Sequence, residues 1–183
     1  MPWDEQRYER FVDATIRMAR GELPGYGYPH VVLPYPPREE LRCIDELQRL
    51  PGRLSPLGLL ARRVALAPFV ARALRRFSER PLRDGDEYQR LERDLADPSV
   101  GLVPMVTELL HRELSLAADT VLVLGRLGAL YPFAHVSSFL DGLFRVGIRN
   151  TVAVLYPGTA DSARLRFLGL VDPTGGYRGH VVT

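Results

Sequence analysis

Residues 119–158 read DTVLVLGRLGALYPFAHVSSFLDGLFRVGIRNTVAVLYPG, and this stretch decides the fold. Two short runs rich in β-branched residues, Thr120–Leu124 and Thr151–Leu155, each end at glycine or proline after about the length of a strand. Between them Phe139, Leu140, Leu143 and Phe144 recur at helical spacing, which predicts a helix over Ser137–Val146 capped by Ser137 or Ser138. The result is a β-α-β unit. Neither run alternates with polar residues, a pattern that belongs to parallel sheets covered on both faces. Ligands of open α/β sheets bind beyond the carboxyl ends of the strands. The residues to watch are therefore Arg126, Tyr131-Pro132-Phe133, His135 and Tyr156-Pro157-Gly158.

The rest of the chain fits the same class. Tyr8, Phe11, Val12, Thr15, Ile16 and Ala19 mark one face of a helix capped by Asp4 and stopped at Gly21. His30–Pro34 reads as a strand. Pro37 opens a helix through Leu41, Ile44 and Leu47, with Pro51-Gly52 as its expected end. Leu59–Ala67 reads as a strand, although periodicity alone leaves Leu57–Leu60 open to a helix. Further helices are expected over Pro68–Phe77, around Tyr88, Leu91 and Leu95, and over Val100–Leu116. A short strand at Leu165–Leu168 and a last strand in Gly176–Thr183, suited to a sheet edge, complete the reading. The expectation is one α/β domain over 1–183. Its mostly parallel central sheet is flanked by helices in three layers, a P-loop or Rossmann-like layout without a phosphate-binding loop.

Chemistry explains the missing loop. After the first strand, where a nucleotide-binding α/β protein points backbone N–H groups at phosphate, this chain has Pro34-Tyr35-Pro36-Pro37. Three of those residues have no N–H to offer. The chain also contains no lysine, so all 24 basic residues are arginine. A Walker A loop and Schiff-base chemistry both need lysine. The single cysteine, Cys43, rules out an internal disulfide and any multi-cysteine metal site. With no apolar run of membrane-spanning length and no signal-peptide character at the start, the expected location is cytoplasmic, with no membrane partner.

The candidate chemistry is sparse. His30, His111, His135 and His180 form no metal-ligand spacing, no GxSxG surrounds Ser137 or Ser138, and no cofactor is expected. His135 stands out by its place between a strand end and a helix start. Arg72, Arg75 and Arg76 share a helix face that reads first as solvated and second as a contact for an acidic partner or a phosphate backbone. The net charge of +2 does not by itself argue for nucleic acid.

VLVLGRLGALYPF, TVAVLYPG, LRFLG and GYRGHVV, with HVVLPYPPREEL ahead of them, resemble in order the BrxB family of the BREX phage-exclusion systems. The most specific pieces are Tyr131-Pro132-Phe133, Tyr156-Pro157-Gly158 and Tyr177-Arg178. The family pattern carries an Arg-x-His group after Tyr-Pro-Phe and an Asn pair before a leucine, whereas this chain has His135, Ser137, Asp141 and Gly142 at the matching positions. The resemblance implies a complete, small, non-enzymatic subunit of a multi-protein anti-phage assembly. Its other members include an alkaline-phosphatase-like protein (PglZ), a large ATPase and an adenine methyltransferase. The chain would then be an adaptor, binding PglZ above all and meeting DNA only through the complex. The rival expectation is an enzyme-like pocket in which Arg126, Tyr131, His135 and Tyr156 hold a nucleotide or another phosphorylated ligand.

Overall fold

The structure, a computed structural model, describes residues 4–24, 27–77, 85–161, 164–168 and 179–183. Tyr177 and Arg178 lie outside them. The chain divides into two compact units, one made of residues 1–64, 116–125 and 149–183 and the other of residues 65–115 and 126–148.

The first unit holds a mostly parallel sheet. Its strands are β1 (His30–Tyr35), β2 (Leu60–Ala65), β3 (Thr120–Gly125), β4 (Val152–Asp161), β5 (Arg164–Phe167) and β6 (His180–Val181), in the order β2-β3-β4-β1-β6 with β5 added to β4. β4 runs parallel to β1, from His30↔Val152 to Tyr35↔Pro157, and parallel to β3, from Leu122↔Val152 to Leu124↔Val154. β6 lies parallel on the far side of β1. Successive residues of these strands point to opposite faces, yet Val31, Val32, Val121, Leu122, Val152 and Ala153 are all fully buried. Both faces of the sheet are therefore covered, as the unbroken apolar runs predict.

Two helices supply the cover on the face that carries Val31, Leu33, Val121, Val123, Ala153 and Leu155. α1 (Glu5–Ala19) starts where the Asp4 carboxylate accepts the Arg7 N–H at 3.0 Å, and it buries Tyr8, Phe11, Val12, Thr15 and Met18. α2 (Glu40–Leu54), entered through a 3-10 turn at Pro37–Glu39, buries Cys43, Leu50 and Leu54. The Tyr8 hydroxyl donates to the Glu46 carbonyl at 3.1 Å and joins the two helices. Burial beside Glu39, Glu40 and Glu46 pushes the Cys43 thiol up, so it stays protonated and packs as a small apolar group. From α1, Arg7 Nε donates to the Val182 carbonyl at 3.1 Å and Arg10 to the Thr183 carbonyl at 3.2 Å, which ties residues 182 and 183 to the first helix.

The second unit is helical: α3 (Leu66–Phe77), α4 (Gly85–Ala96), α5 (Leu102–Glu113) and α6 (Val136–Arg145), with a 3-10 turn at Leu127–Leu130. Gly142 of α6 lies against α5 so closely that a Cβ there would stand 3.0 Å from both Val103 and Thr107.

Several boundaries depart from the sequence-based expectation. α2 does not end at Pro51-Gly52 but runs through both. Proline inside a helix costs about 3 kcal/mol, and full burial of Leu50 and Leu54 at roughly 1.5–3 kcal/mol each offsets it. The Pro51 carbonyl still accepts a hydrogen bond from Ser55. β2 stops at Ala65 and α3 begins at once at Leu66, ahead of Pro68. α6 begins one residue early with His135 at its N-cap, so Ser137 and Ser138 lie inside the helix. Tyr156-Pro157-Gly158 forms no turn and continues β4. Pro157 lies three residues past the last pair with β3, where the ladder on that side needs no donor, and its carbonyl accepts from Leu168 N at 2.9 Å.

Two positions make this geometry testable. At Gly158 an added Cβ would sit 2.1 Å from the Arg166 carbonyl oxygen, so Gly158→Ala must pry β5 from β4; we expect a loss on the order of 1–3 kcal/mol in denaturant unfolding, and an unchanged midpoint would refute the register. His30 is 1% exposed and its Nε2 has no hydrogen-bond partner among the described residues. Desolvation holds its pKa down at about 4, against an ordinary value of 6.5. The unfolded chain therefore takes up the proton first as pH falls, and stability is lost between about pH 6.5 and pH 4, by about 3 kcal/mol in all. His30→Phe should flatten that part of the profile; parallel profiles for both proteins would overturn the assignment.

Candidate functional site

The second unit carries a groove of about 350 Å³, walled by α4, the turn after it, Val103 of α5, the segment 132–135, and Ser138 and Arg145 of α6. Its shape is set by three local devices. In the turn, the Asp97 carboxylate accepts the Ser99 and Val100 N–H groups at 2.7 and 3.0 Å. Gly101 then passes so close to the Leu95 and Asp97 carbonyls that a Cβ would lie 2.5 and 2.4 Å from them. Opposite, Arg126 adopts a left-handed conformation (φ 61°) and leads into the 3-10 turn, which precedes a cis Tyr131-Pro132 bond. Phe133 N and Ala134 N both donate to the Leu130 carbonyl at 2.9 Å, folding that segment back before His135 opens α6.

The walls are mixed in chemistry. Tyr88, Leu91, Leu95, Pro98, Val103, Pro132, Phe133 and Ala134 are apolar or aromatic, while Glu92, Asp97, His135, Ser138 and Arg145 bring polar groups. Tyr88 is 57% exposed. Among the described residues no group of three or more His, Cys, Asp or Glu side chains could hold a metal ion, and no helix is long and apolar enough to cross a membrane.

The residues singled out from sequence divide among different places. Pro132, Phe133 and His135 line the groove. Tyr131 adjoins them in sequence and is 41% exposed, and Arg126 is exposed at the head of the 3-10 turn; neither lines the groove. Tyr156 belongs to β4 in the other unit, is 4% exposed and packs edge-on against Phe167 with ring centroids 5.5 Å apart. Burial pushes its phenol pKa up, so it stays neutral. Of Arg126, Tyr131, His135 and Tyr156, His135 alone lines this groove. On α3, Arg72 makes a paired contact with Glu113 of α5, one bond at 2.7 Å, and stacks over Phe69. Arg75 and Arg76 are exposed in the last turn of that helix.

Sequence reasoning missed the far wall. Tyr88, Leu91 and Leu95 fall at helical spacing and mark a helix, but the spacing does not say that Leu95 is buried while Tyr88 turns outward. Arg145 and Glu92 carried no signal in their spacing. The available hint was the Asp97-Pro98 pair, which marks a turn after α4 and so a place where two helices diverge.

No curated protein and no solved structure matches the chain. The family model of BREX protein BrxB matches residues 83–182, which include every residue of the groove together with β3, β4, β5 and β6. The match covers more than half of the chain, which therefore belongs to the BrxB family of BREX proteins.

Proposed function

We propose that this chain is a non-enzymatic adaptor of a BREX-type anti-phage assembly, and that the groove of the second unit receives the PglZ-like, alkaline-phosphatase-like subunit. Membership of the BrxB family carries the proposal. The groove supports it by composition, since tyrosine, phenylalanine and arginine on its walls are the residue types that dominate binding energy at protein interfaces. An exposed Tyr88 beside Leu91 and Phe133 gives an apolar centre, and Glu92 and Arg145 give a charged rim that fixes orientation. The walls are closely packed: Gly101 lies against the Leu95 and Asp97 carbonyls, Gly142 lies against the Val103 and Thr107 side chains, and the Asp97 carboxylate holds the turn. Preformed walls lower the ordering cost of association.

Co-expression of the tagged chain with the PglZ-like subunit tests the reading. The two should copurify, and Tyr88→Ala and Arg145→Glu should each weaken the complex, at least tenfold when combined, whereas both single variants should keep the wild-type unfolding midpoint within 1 °C or so, as surface substitutions do. Two well-expressed proteins that never associate would sink the adaptor; association untouched by either substitution would move the contact away from the groove.

A further inference from the structure

The sheet of the first unit ends on one side in β2, which has a single neighbour, β3, among the described strands. An edge strand points alternate N–H and C=O groups outward with nothing to bond. Proteins blunt such an edge by shortening it, covering it or placing charges on it; β2 is six residues long with four of them exposed, Leu60 by 55%, and its charges are two adjacent arginines. Its sequence, LARRVA, sets the side chains. Ala61 packs against the core formed with α1 and α2, so Ala61, Arg63 and Ala65 share one face of the strand and Leu60, Arg62 and Val64 the other. Arg62 and Arg63 therefore stand on opposite faces and bracket the open backbone edge. Both are exposed, and neither has an ion-pair or hydrogen-bond partner among the described residues, whereas Arg42, Arg49, Arg53 and Arg72 of the same chain are each paired with glutamate.

From this juxtaposition we infer that β2 is a strand-addition site for an extended acidic segment of a partner protein, one carrying carboxylates at two consecutive positions. Consecutive residues of an added strand also face opposite ways, so one carboxylate meets Arg62 and the next meets Arg63 while the main chain completes the ladder. Backbone bonding supplies affinity and the guanidinium pair supplies register and selectivity. The inference goes beyond the adaptor reading: it concerns the other unit and does not depend on which protein occupies the groove.

The probe is a synthetic eight-residue peptide of valine and threonine with two adjacent glutamates at its centre, titrated into the full chain by fluorescence anisotropy. Amide hydrogen exchange is monitored in parallel. The peptide should bind and slow exchange within residues 60–65. Moving the second glutamate one position along, so that both carboxylates share a face, should weaken binding at least threefold. Arg62→Glu with Arg63→Glu should weaken it at least tenfold and reverse the preference toward the same peptide with lysines. Should that double variant fail to fold, Arg62→Gln with Arg63→Gln keeps the test, with a loss of at least threefold expected. The inference is overturned by no binding at millimolar peptide, by binding without protection of residues 60–65, or by a short DNA duplex that binds more tightly than the peptide and depends on the same two arginines.

Discussion

The structure depends on one constraint, the need of β4 to satisfy its backbone along both edges while buried on both faces. Val152, Ala153, Val154 and Leu155 are all essentially inaccessible, so none of their N–H or C=O groups can turn to water. β1 takes one edge and β3 the other, in registers that both begin at Val152. That shared origin explains the clamp just before it. Asn150 donates its side-chain amide to the carbonyls of Ala117 and Thr120 at 2.8 and 3.0 Å, and Leu122 N bonds the Thr151 carbonyl at 2.8 Å. One polar side chain thereby fixes where the chain re-enters the sheet after α6.

Much of this was legible because full burial leaves a mark on composition. A strand covered on both faces has no room for polar alternation, so Thr120–Leu124 and Thr151–Leu155 announce themselves, and the stripe of Phe139, Leu140 and Leu143 places the helix between them. The breakers were harder. Pro51-Gly52 and Tyr156-Pro157-Gly158 look like stops because proline removes a donor and glycine loosens the chain. Each is overridden by tertiary contact: the core beneath Leu50 and Leu54 in one case, the pairing with β5 that brings Arg166 against Gly158 in the other. A local propensity of about 3 kcal/mol loses to two buried leucines, and nothing in the local sequence records that they are buried. The groove was illegible for a related reason. Periodicity places Tyr88 and Leu95 on one side of α4, but it does not record that only the Leu95 end of that side is covered.

The exclusive use of arginine shapes the surface. Arg53 on Glu9 and Arg72 on Glu113 each make two bonds through the planar guanidinium, and Arg53 and Arg72 also lie 5.9 and 5.8 Å from the ring centres of Tyr8 and Phe69. Such exposed pairs add little stability, with a typical value below about 1 kcal/mol. Their role is orientation. Glu9–Arg53 and Glu5–Arg42 both join α1 to α2, and they reinforce the packing that Tyr8 and Phe11 already dictate. A lysine would supply the charge without the fork or the flat stacking face.

The stretch that matches the BrxB family starts at residue 83 and contains the whole groove, yet it cannot close the sheet by itself. β4 and β6 both fall within it, but they are not neighbours; β1, at residues 30–35, lies between them. Without β1 the inner edge of β4 would expose Val152–Tyr156 with unpaired backbone, and β6 would lose the partner that bonds Val182 N to the Val32 carbonyl at 2.9 Å. α1 and α2 are missing from that stretch too, and with them the side chains that cover Val121, Val123, Ala153 and Leu155. A buried edge and an uncovered face each cost more than a small unit can offset. The segment before residue 83 is therefore the structural complement of the family-matched part: it carries β1, the first two helices and the arginine-bracketed edge of β2, while every groove residue belongs to the family-matched part.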